Sequence, residues 1–572
     1  MRALDRRIGL LFGGFILLLA IASARAAWLG IFNSGPLQRF ASSQQIDNKV
    51  VPAMRGVVTD RSGQVLALSE STATIIADPY LIHDAPTVAA KLGPLLGSSQ
   101  KQLTAQLSKP HTGYVKLAEN VPSTTATKIM GLHIDGINQS PGLHRTYPLG
   151  STAGQVLGWV GADGKGQSGI EYTMNQILKG KAGLRRIVND GNQQAISIQD
   201  AKTMQPGAKI GLTLDTPLQQ EVEHVLAQTA AQFNPKSATA IVVNPNNDRI
   251  LADANWPFLD PNNLGASSPE AQGNQSVGFA YEPGSTFKAF TIAGALQDGA
   301  VKPNTMINEP PDLAPYGYVI KDAEAHGDVS YSVAHVLAVS SNIGADLIAQ
   351  RDGPNKGANR FNYWVHKFGF GQPTGVPLNG ESNGVIPPLS KYSGISMYNL
   401  PFGQGQEVTP MQMVQAYAAI ADGGVMRKPQ LIQSVGNKQR GPAKGQRVIS
   451  AKVASQLRGM MRGVLGDGGT ASGAQIPGYD LAGKTGTAQV AVNGKYSSSK
   501  YVASFIGMVP ASHPKLEVAV VVNQPSTGEY GGTVAGPAFQ KIVGWAVPHF
   551  GINPCPKPCP ASAYAQAAPS TP

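Results

Sequence analysis

An apolar run with no charged position covers residues 8–24, and the polar stretch at 34–50 behind it reads as a linker. Residues 55–67 carry two short apolar segments around Asp60-Arg61-Ser62-Gly63, which is a hairpin signal. Residues 84–130 read as largely helical, and a Gly-rich block follows over 145–171. An amphipathic helix is predicted at 217–232. After it, apolar strands at 238–243 and 249–254 flank a turn-rich bend ending at Asp248. Helical pattern then occupies much of 285–460, and strands return at 480–490, 501–509 and 516–523. Strands from both ends of this segment around a helical middle predict one α+β domain, an antiparallel sheet flanked by helices. The Ala/Pro/Ser-rich end at 551–572 has no periodicity and reads as disordered.

Length changes this picture first, because 572 residues exceed a single ordinary core and imply two or three domains. The expected division is 1–33 for a short cytoplasmic end and a transmembrane anchor, 34–215 for a linker and an extended N-terminal domain, 216–550 for the α+β domain, and the tail. With 46 Lys+Arg against 35 Asp+Glu the chain carries +11, which suits a membrane surface or an acidic substrate. The absence of zinc-finger spacing and of Lys/Arg blocks argues against nucleic acid. Only two cysteines occur, Cys555 and Cys559, both in a Pro-rich tail where thiol catalysis is not expected, and no other Cys exists to build a zinc site. They can pair in an oxidising compartment, although such a spacing in a Pro-rich tail is more often incidental.

Arg2, Arg6 and Arg7 precede the apolar run, so the N-terminal end is expected to stay cytoplasmic and the bulk to be exported. Ala22-Ser23-Ala24 and Ala24-Arg25-Ala26 also resemble signal-peptidase sites, which leaves a cleaved signal as the alternative. The anchor is favoured because Leu29, Ile31 and Phe32 extend the apolar character past Arg25.

Candidate chemistry lies in three separated motifs. A Ser-x-x-Lys pair occurs four times, at Ser98/Lys101, Ser285/Lys288, Ser497/Lys500 and Ser512/Lys515, so alone it says little. Only Ser285/Lys288 follows Pro283-Gly284 and precedes both Ser340-Ser341-Asn342 and Lys484-Thr485-Gly486-Thr487. Three apart on a helix, Ser285 and Lys288 share a face, and Pro-Gly puts the serine at the helix start, where backbone N–H groups are free. Phe287, Ala289, Phe290 and Ile292 around Lys288 disfavour its charge and make it a candidate base; the bland alternative is a lysine snorkelling from an apolar helix. Ser340 and Asn342 follow a helix-like 333–339, where a turn offers a hydroxyl and an amide to one cleft, or merely ends the helix. The strand-like stretch at Lys484, Thr485, Gly486 and Thr487 offers an amine and hydroxyls to an anion. The bare Gly486 would let a substrate lie on the backbone, unless it marks an edge-strand bulge. No Gly-x-Ser-x-Gly elbow, metalloprotease His-Glu-x-x-His or dinucleotide glycine pattern competes, and neither metal nor cofactor is expected.

In that order the motifs resemble the active-site set of class B penicillin-binding proteins. Further matching segments are Arg55-Gly56 with Asp60-Arg61, Arg145 with Tyr147-Pro148, Gly169-Ile170-Glu171, Gly403-Gln404-Gly405 and Gly531-Gly532. The resemblance implies an anchored protein whose pedestal, a dimerisation-type domain, carries a D,D-transpeptidase domain that cross-links peptidoglycan and is a β-lactam target. It implies Ser285 as nucleophile, Lys288 as base, Ser340 as proton relay and Asn342 as a donor-peptide contact. Lys484, Thr485 and Thr487 would bind the donor's terminal carboxylate, with Gly486 also in the substrate-binding strand, and the N–H groups of Ser285 and Thr487 would form the oxyanion hole. Ser-Ser-Asn followed by Ile343-Gly344 looks like the septal division branch, the FtsI type; elongation-type relatives often carry Asp in place of the Asn. The implied partners are stem peptides on lipid-linked precursor or nascent glycan, a polytopic glycosyltransferase and other division proteins. A D,D-carboxypeptidase or β-lactamase of the same fold, an elongation-type enzyme and a non-catalytic β-lactam sensor remain as other readings.

Overall fold

The computed structural model describes residues 2–29, 46–189, 195–351, 353–556 and 559. Its first element is the helix Arg2–Ala27, in which Arg7–Ala27 has a mean hydropathy of 2.1 and no burial against the rest of the chain. Those 21 residues extend about 30 Å at 1.5 Å per residue, the thickness of a bilayer core. Among the described residues it is the one helix long and apolar enough to cross a membrane.

The chain divides into two compact units. The first comprises Met1–Arg55, Ser71–Leu143 and Lys179–Gly207. Here the stretch read as a linker contains a strand, Ile46–Val51, which pairs antiparallel with Gly183–Asn189; that strand in turn pairs with Ala195–Lys202. The span 84–130 is less helical than its pattern suggests. Helices Ala85–Leu96 and Gln100–Leu107 are followed by the strand Val115–Pro122, and only then by the helix Ser123–Met130. Val115 and Leu117 alternate inward on that strand and complete a small core with Ile75, Leu92, Leu103 and Ile129. Asp84 caps the first helix through Thr87 N, and Gly97 ends it in the left-handed conformation, φ +64°.

The second unit takes in Gly56–Glu70, His144–Leu178 and the chain from Ala208 onward. The predicted hairpin forms here, with Asp60 Oδ1 accepting from the N–H groups of Ser62 and Gln64 and Oδ2 from the Thr216 hydroxyl. A buried pair between Arg145 and Glu171, Nε to Oε1 2.7 Å, ties the Gly-rich block together. The centre is a five-stranded antiparallel sheet in the order Arg249–Trp256, Ser237–Asn244, Leu516–Asn523, Lys495–Val509, Ala482–Val492. The central strand is buried on both faces, and its alternate residues serve two cores. Val518, Val520 and Val522 meet the helices Thr216–Phe233 and Gly536–His549 through Leu218, Val222, Phe539 and Ile542. Ala519 and Val521 face the helical middle, where Phe290, Val336, Tyr417 and Leu457 lie. The sheet ends in two strands, Arg249–Trp256, whose outer edge is bridged to Gln430 at Arg249, and Ala482–Val492, the open-edged strand among the described residues.

Cys555 and Cys559 are joined as a disulfide, and Cys555 N donates to Gly478 O. The rest of the 551–572 tail beyond 556 lies outside the described residues.

Candidate active site

The turn that carries Ser285, the candidate nucleophile turn, is built by its glycine. Gly284 takes φ +54°, a conformation costly for a side chain, and starts a single 3₁₀ turn, Gly284–Phe287, that runs into the helix Lys288–Gln297. Three bonds pin it: Gly284 N donates to Gly403 O, Thr286 Oγ1 to Pro283 O and the Tyr417 hydroxyl to Thr286 O, the last two at 2.7 Å. Below the turn, Phe287 and Phe290 pack among Phe361, Phe368, Phe370 and Tyr417. Ser285 is thereby held partly open, while Lys288, three residues on, is wholly buried.

The second motif sits at the break between two helices. Ser340 closes Val333–Val339 in the left-handed conformation at φ +67°, and Ser341 caps Asn342–Ala349 by accepting from Gly344 N at 2.7 Å. Its hydroxyl donates in turn to Glu309 Oε2, and Asp322 Oδ1 accepts from the N–H groups of Asn342 and Ile343. Asn342 Nδ2 donates to Lys321 O at 2.9 Å. Glu309, Asp322 and His326 bring one polar atom each within 4.8 Å of one another, and both acids are already engaged with this helix start.

The Lys288 amine crosses to this break. It donates to Ser340 O, to Asn342 Oδ1 at 2.7 Å and to Ser340 Oγ at 3.3 Å. From the other side Lys484 Nζ donates to the same Ser340 Oγ at 2.8 Å and to Thr485 O at 3.1 Å. One hydroxyl therefore lies between two buried amines. Burial lowers Lys288 to about 8, against the opposing pull of Asp322, Asp346 and Glu309. Lys484 falls well below the usual lysine range, by burial and then by repulsion from Lys288. Two amines of depressed basicity around a hydroxyl make a route for protons. Ser285 Oγ has no hydrogen bond among the described residues, so the lysine it was expected to meet engages Ser340 and Asn342 instead. Contacts of that kind commonly tighten only when substrate is bound.

The third motif lies on the open-edged strand. A Cβ on Gly486 would come within 2.4 Å of Ser504 Oγ and 2.9 Å of Pro283 O. The glycine has a packing reason of its own, because the strand lies directly on the turn that carries Ser285. Thr485 is buried with its hydroxyl 2.7 Å from that of Thr470, while Thr487 stays partly open and accepts from Gly531 N at 3.1 Å. Gly403 and Gly531 are close-approach glycines of the same kind: a Cβ would meet Gly284 O at 2.2 Å in one case and Gly486 O at 2.3 Å in the other. Of the other Ser-x-x-Lys pairs, Ser98/Lys101 lies in the first unit, and Lys500 and Lys515 are exposed on the second. The sequence reading missed Glu309, Asp322 and Asp346, since single acids at irregular spacing leave no pattern.

This constellation on this sheet defines a penicillin-binding protein, and the chain belongs to that family. It matches the family described as Penicillin binding protein transpeptidase domain over residues 238–544 and the Penicillin-binding Protein dimerisation domain over 50–212. It is 32% identical over 559 residues to the peptidoglycan D,D-transpeptidase FtsI of Escherichia coli strain K12, covering 96% of this chain and 92% of the relative. It is 30% identical to stage V sporulation protein D of Bacillus subtilis strain 168, covering 95% of this chain and 85% of the relative. Among solved structures it resembles penicillin binding protein 3 from Mycobacterium tuberculosis complexed with ampicillin, with a TM-score of 0.71 and 27% identity over 91% of this chain and 100% of that one. Family membership and the helix Arg7–Ala27 together make it a single-pass membrane protein.

Proposed function

We propose that the protein is a serine-type D-Ala-D-Ala transpeptidase that cross-links peptidoglycan stem peptides at the division septum. The observation that carries the chemistry is Ser340 Oγ, held between Lys288 and Lys484 beside the turn that presents Ser285. Ser285 Oγ attacks the carbonyl between the two terminal D-alanines and Lys288 takes its proton. That proton passes through Ser340 to the departing D-alanine amine, leaving an ester on Ser285. The developing oxyanion is received by the N–H groups of Ser285 and Thr487. Lys484, Thr485 and Thr487 hold the donor's carboxylate, Gly486 lets that strand lie against the turn, and Asn342 contacts the donor peptide. An acceptor amine then attacks the ester, and its proton returns through the same groups. β-Lactams acylate Ser285 in place of the stem peptide.

Asn342 in the second motif favours the septal branch. Its partners in that role are a polytopic glycosyltransferase and other division proteins. The bulk lies on the extracytoplasmic side, supported by the arginines before the apolar run and by the Cys555–Cys559 disulfide, which belongs in an oxidising compartment. In this reading 1–33 is the cytoplasmic end and anchor, 34–215 the linker and pedestal, and 216–550 the transpeptidase domain.

Mass spectrometry after penicillin treatment tests the assignment. A long-lived adduct on Ser285, lost in Ser285→Ala, is expected; an adduct elsewhere refutes the site, and rapid release of hydrolysed penicillin turns the reading to a hydrolase. Fluorescent penicillin on intact cells should mark the septum, and side-wall labelling refutes the septal role.

A further inference from the structure

The loop 313–320 has no part in the chemistry above, yet it leads straight into the candidate site. Lys321 follows it and offers its carbonyl to Asn342 Nδ2 at 2.9 Å, and Asp322 Oδ1 then receives the N–H groups of Asn342 and Ile343. The loop is closed on itself. Leu313 N donates to Ile320 O at 3.0 Å, Ile320 N to Leu313 O at 2.8 Å and Tyr318 N to Pro315 O at 3.0 Å. Its tip is strained, because Tyr316 sits in the left-handed region at φ +51°, an uncommon conformation for a bulky residue. The ring of that residue is also pinned: a Cβ on Gly394 would come within 2.4 Å of Tyr316 Cζ, so the ring lies on bare backbone.

These restraints hold apolar surface outward. Tyr316 is 71% exposed, Tyr318 62% and Val319 58%, and among the described residues of the second unit no other stretch of four carries three large apolar side chains so exposed. Residues 313–320 bear no charge. Clustered apolar surface of this kind marks a binding surface rather than a gain in folding.

We propose that Tyr316, Tyr318 and Val319 form a platform for the sugar rings of the glycan strand that carries the stem peptide. The inference rests on the reading of the site as a peptidoglycan transpeptidase and adds a second contact to the same substrate. Rigid aromatic rings present a broad amphipathic face at little entropic cost, which suits the neutral, hydroxyl-rich rings of a saccharide. Position argues for the same occupant. Lys321 lies three residues after Tyr318, about 11 Å at most along the backbone, and its carbonyl holds the side chain read as the donor-peptide contact. A peptide leaving a sugar on the platform therefore has a short path to Asn342. Binding energy gained on the sugar, away from the reacting bond, serves to hold the peptide in place.

The test is the binding of fluorescently labelled, peptide-free glycan strands to the full chain in detergent, read by polarisation for wild type and for Tyr318→Ala/Val319→Ser. Wild type should bind, and the double variant should bind about five- to tenfold more weakly for the lost ring. Tyr318→Phe keeps the ring and should bind as wild type does. In turnover, KM for glycan-linked stem peptides should rise by a similar factor in the double variant with kcat changed by less than about twofold, while a soluble stem peptide without sugar shows no change in KM. Wild type that does not bind glycan, equal binding by wild type and double variant, or an equal rise in KM for the sugar-free peptide overturns the proposal. So does a variant that binds glycan normally but loses a protein partner. Should the double variant fail to fold, Tyr318→Ser alone gives the same readout. Wild type that binds glycan through these residues but is not acylated at Ser285 supports the platform and refutes the reading of the site.

Discussion

Replacing Gly486 with alanine adds one methyl group where the open-edged strand meets the nucleophile turn. Its closest neighbours would be Ser504 Oγ at 2.4 Å and two atoms of the turn, Pro283 O and Thr286 Cγ2, each at 2.9 Å, against at least 3.4 Å for ordinary contact. The serine hydroxyl can rotate away, but a backbone carbonyl cannot. Strand and turn must therefore part by about half an ångström or more, at an overpacking cost of about 1–3 kcal/mol. The same parting moves Thr487 and Lys484 relative to Ser285. Displacements near 1 Å cost on the order of a hundredfold in positioned reactions, so the acylation rate should fall about ten- to a hundredfold. Stopped-flow acylation with fluorescent penicillin, together with the thermal melt of the same preparation, measures both effects. Adding Ser504→Ala removes the 2.4 Å clash and leaves the carbonyl, so recovery should be partial. A Gly486→Ala protein with wild-type melting and only weaker binding of peptide substrate would refute the packing argument and restore the view that the glycine makes room for ligand.

Because burial lowers Lys288 to about 8 and only the neutral amine accepts a proton, acylation should drop toward acid pH, approaching tenfold per unit well below about 8. A pH–rate profile that is flat, or that rises toward acid, contradicts Lys288 as the base. Arg145→Met leaves Glu171 charged with its side chain about 1% exposed, and should cost about 3–5 kcal/mol in urea unfolding. Pairing it with Glu171→Gln should recover much of that loss, and additive losses would show that the two do not act as a pair.

Much of the candidate site was legible in the sequence because its members sit in contiguous motifs with local reasons for their shape. Pro283-Gly284 before Ser285 dictates a turn feeding a helix, Ser340 follows an apolar helix it must terminate, and Lys484 to Thr487 lies within a strand whose pattern is evident. The sheet was legible for a related reason: Val518, Val520 and Val522 alternate with Ala519 and Val521 in one run, and a strand apolar on both faces needs helices on both. The strand Ile46–Val51 was not, because it carries Asp, Asn and Lys and is held by pairing with a segment more than a hundred residues away. Val115–Pro122 was absorbed into its helical neighbours because eight residues with three inward apolar positions, Val115, Leu117 and Val121, give too short a period to outvote them.

Tertiary structure alone decided where the Lys288 amine goes, since spacing on one helix points it at Ser285, whereas Ser340 and Asn342, more than fifty residues on, receive it. It also gave Gly486 a packing reason, since its missing side chain accommodates Pro283 and Ser504. The same holds for Glu309 and Asp322, ordinary acids in the sequence that folding brings to the start of the helix Asn342–Ala349. Local backbone preference and hydrophobic period are written in neighbouring residues and can be read there. Close approach and burial of charge are properties of distances between segments remote along the chain, and those exist only once the chain is packed.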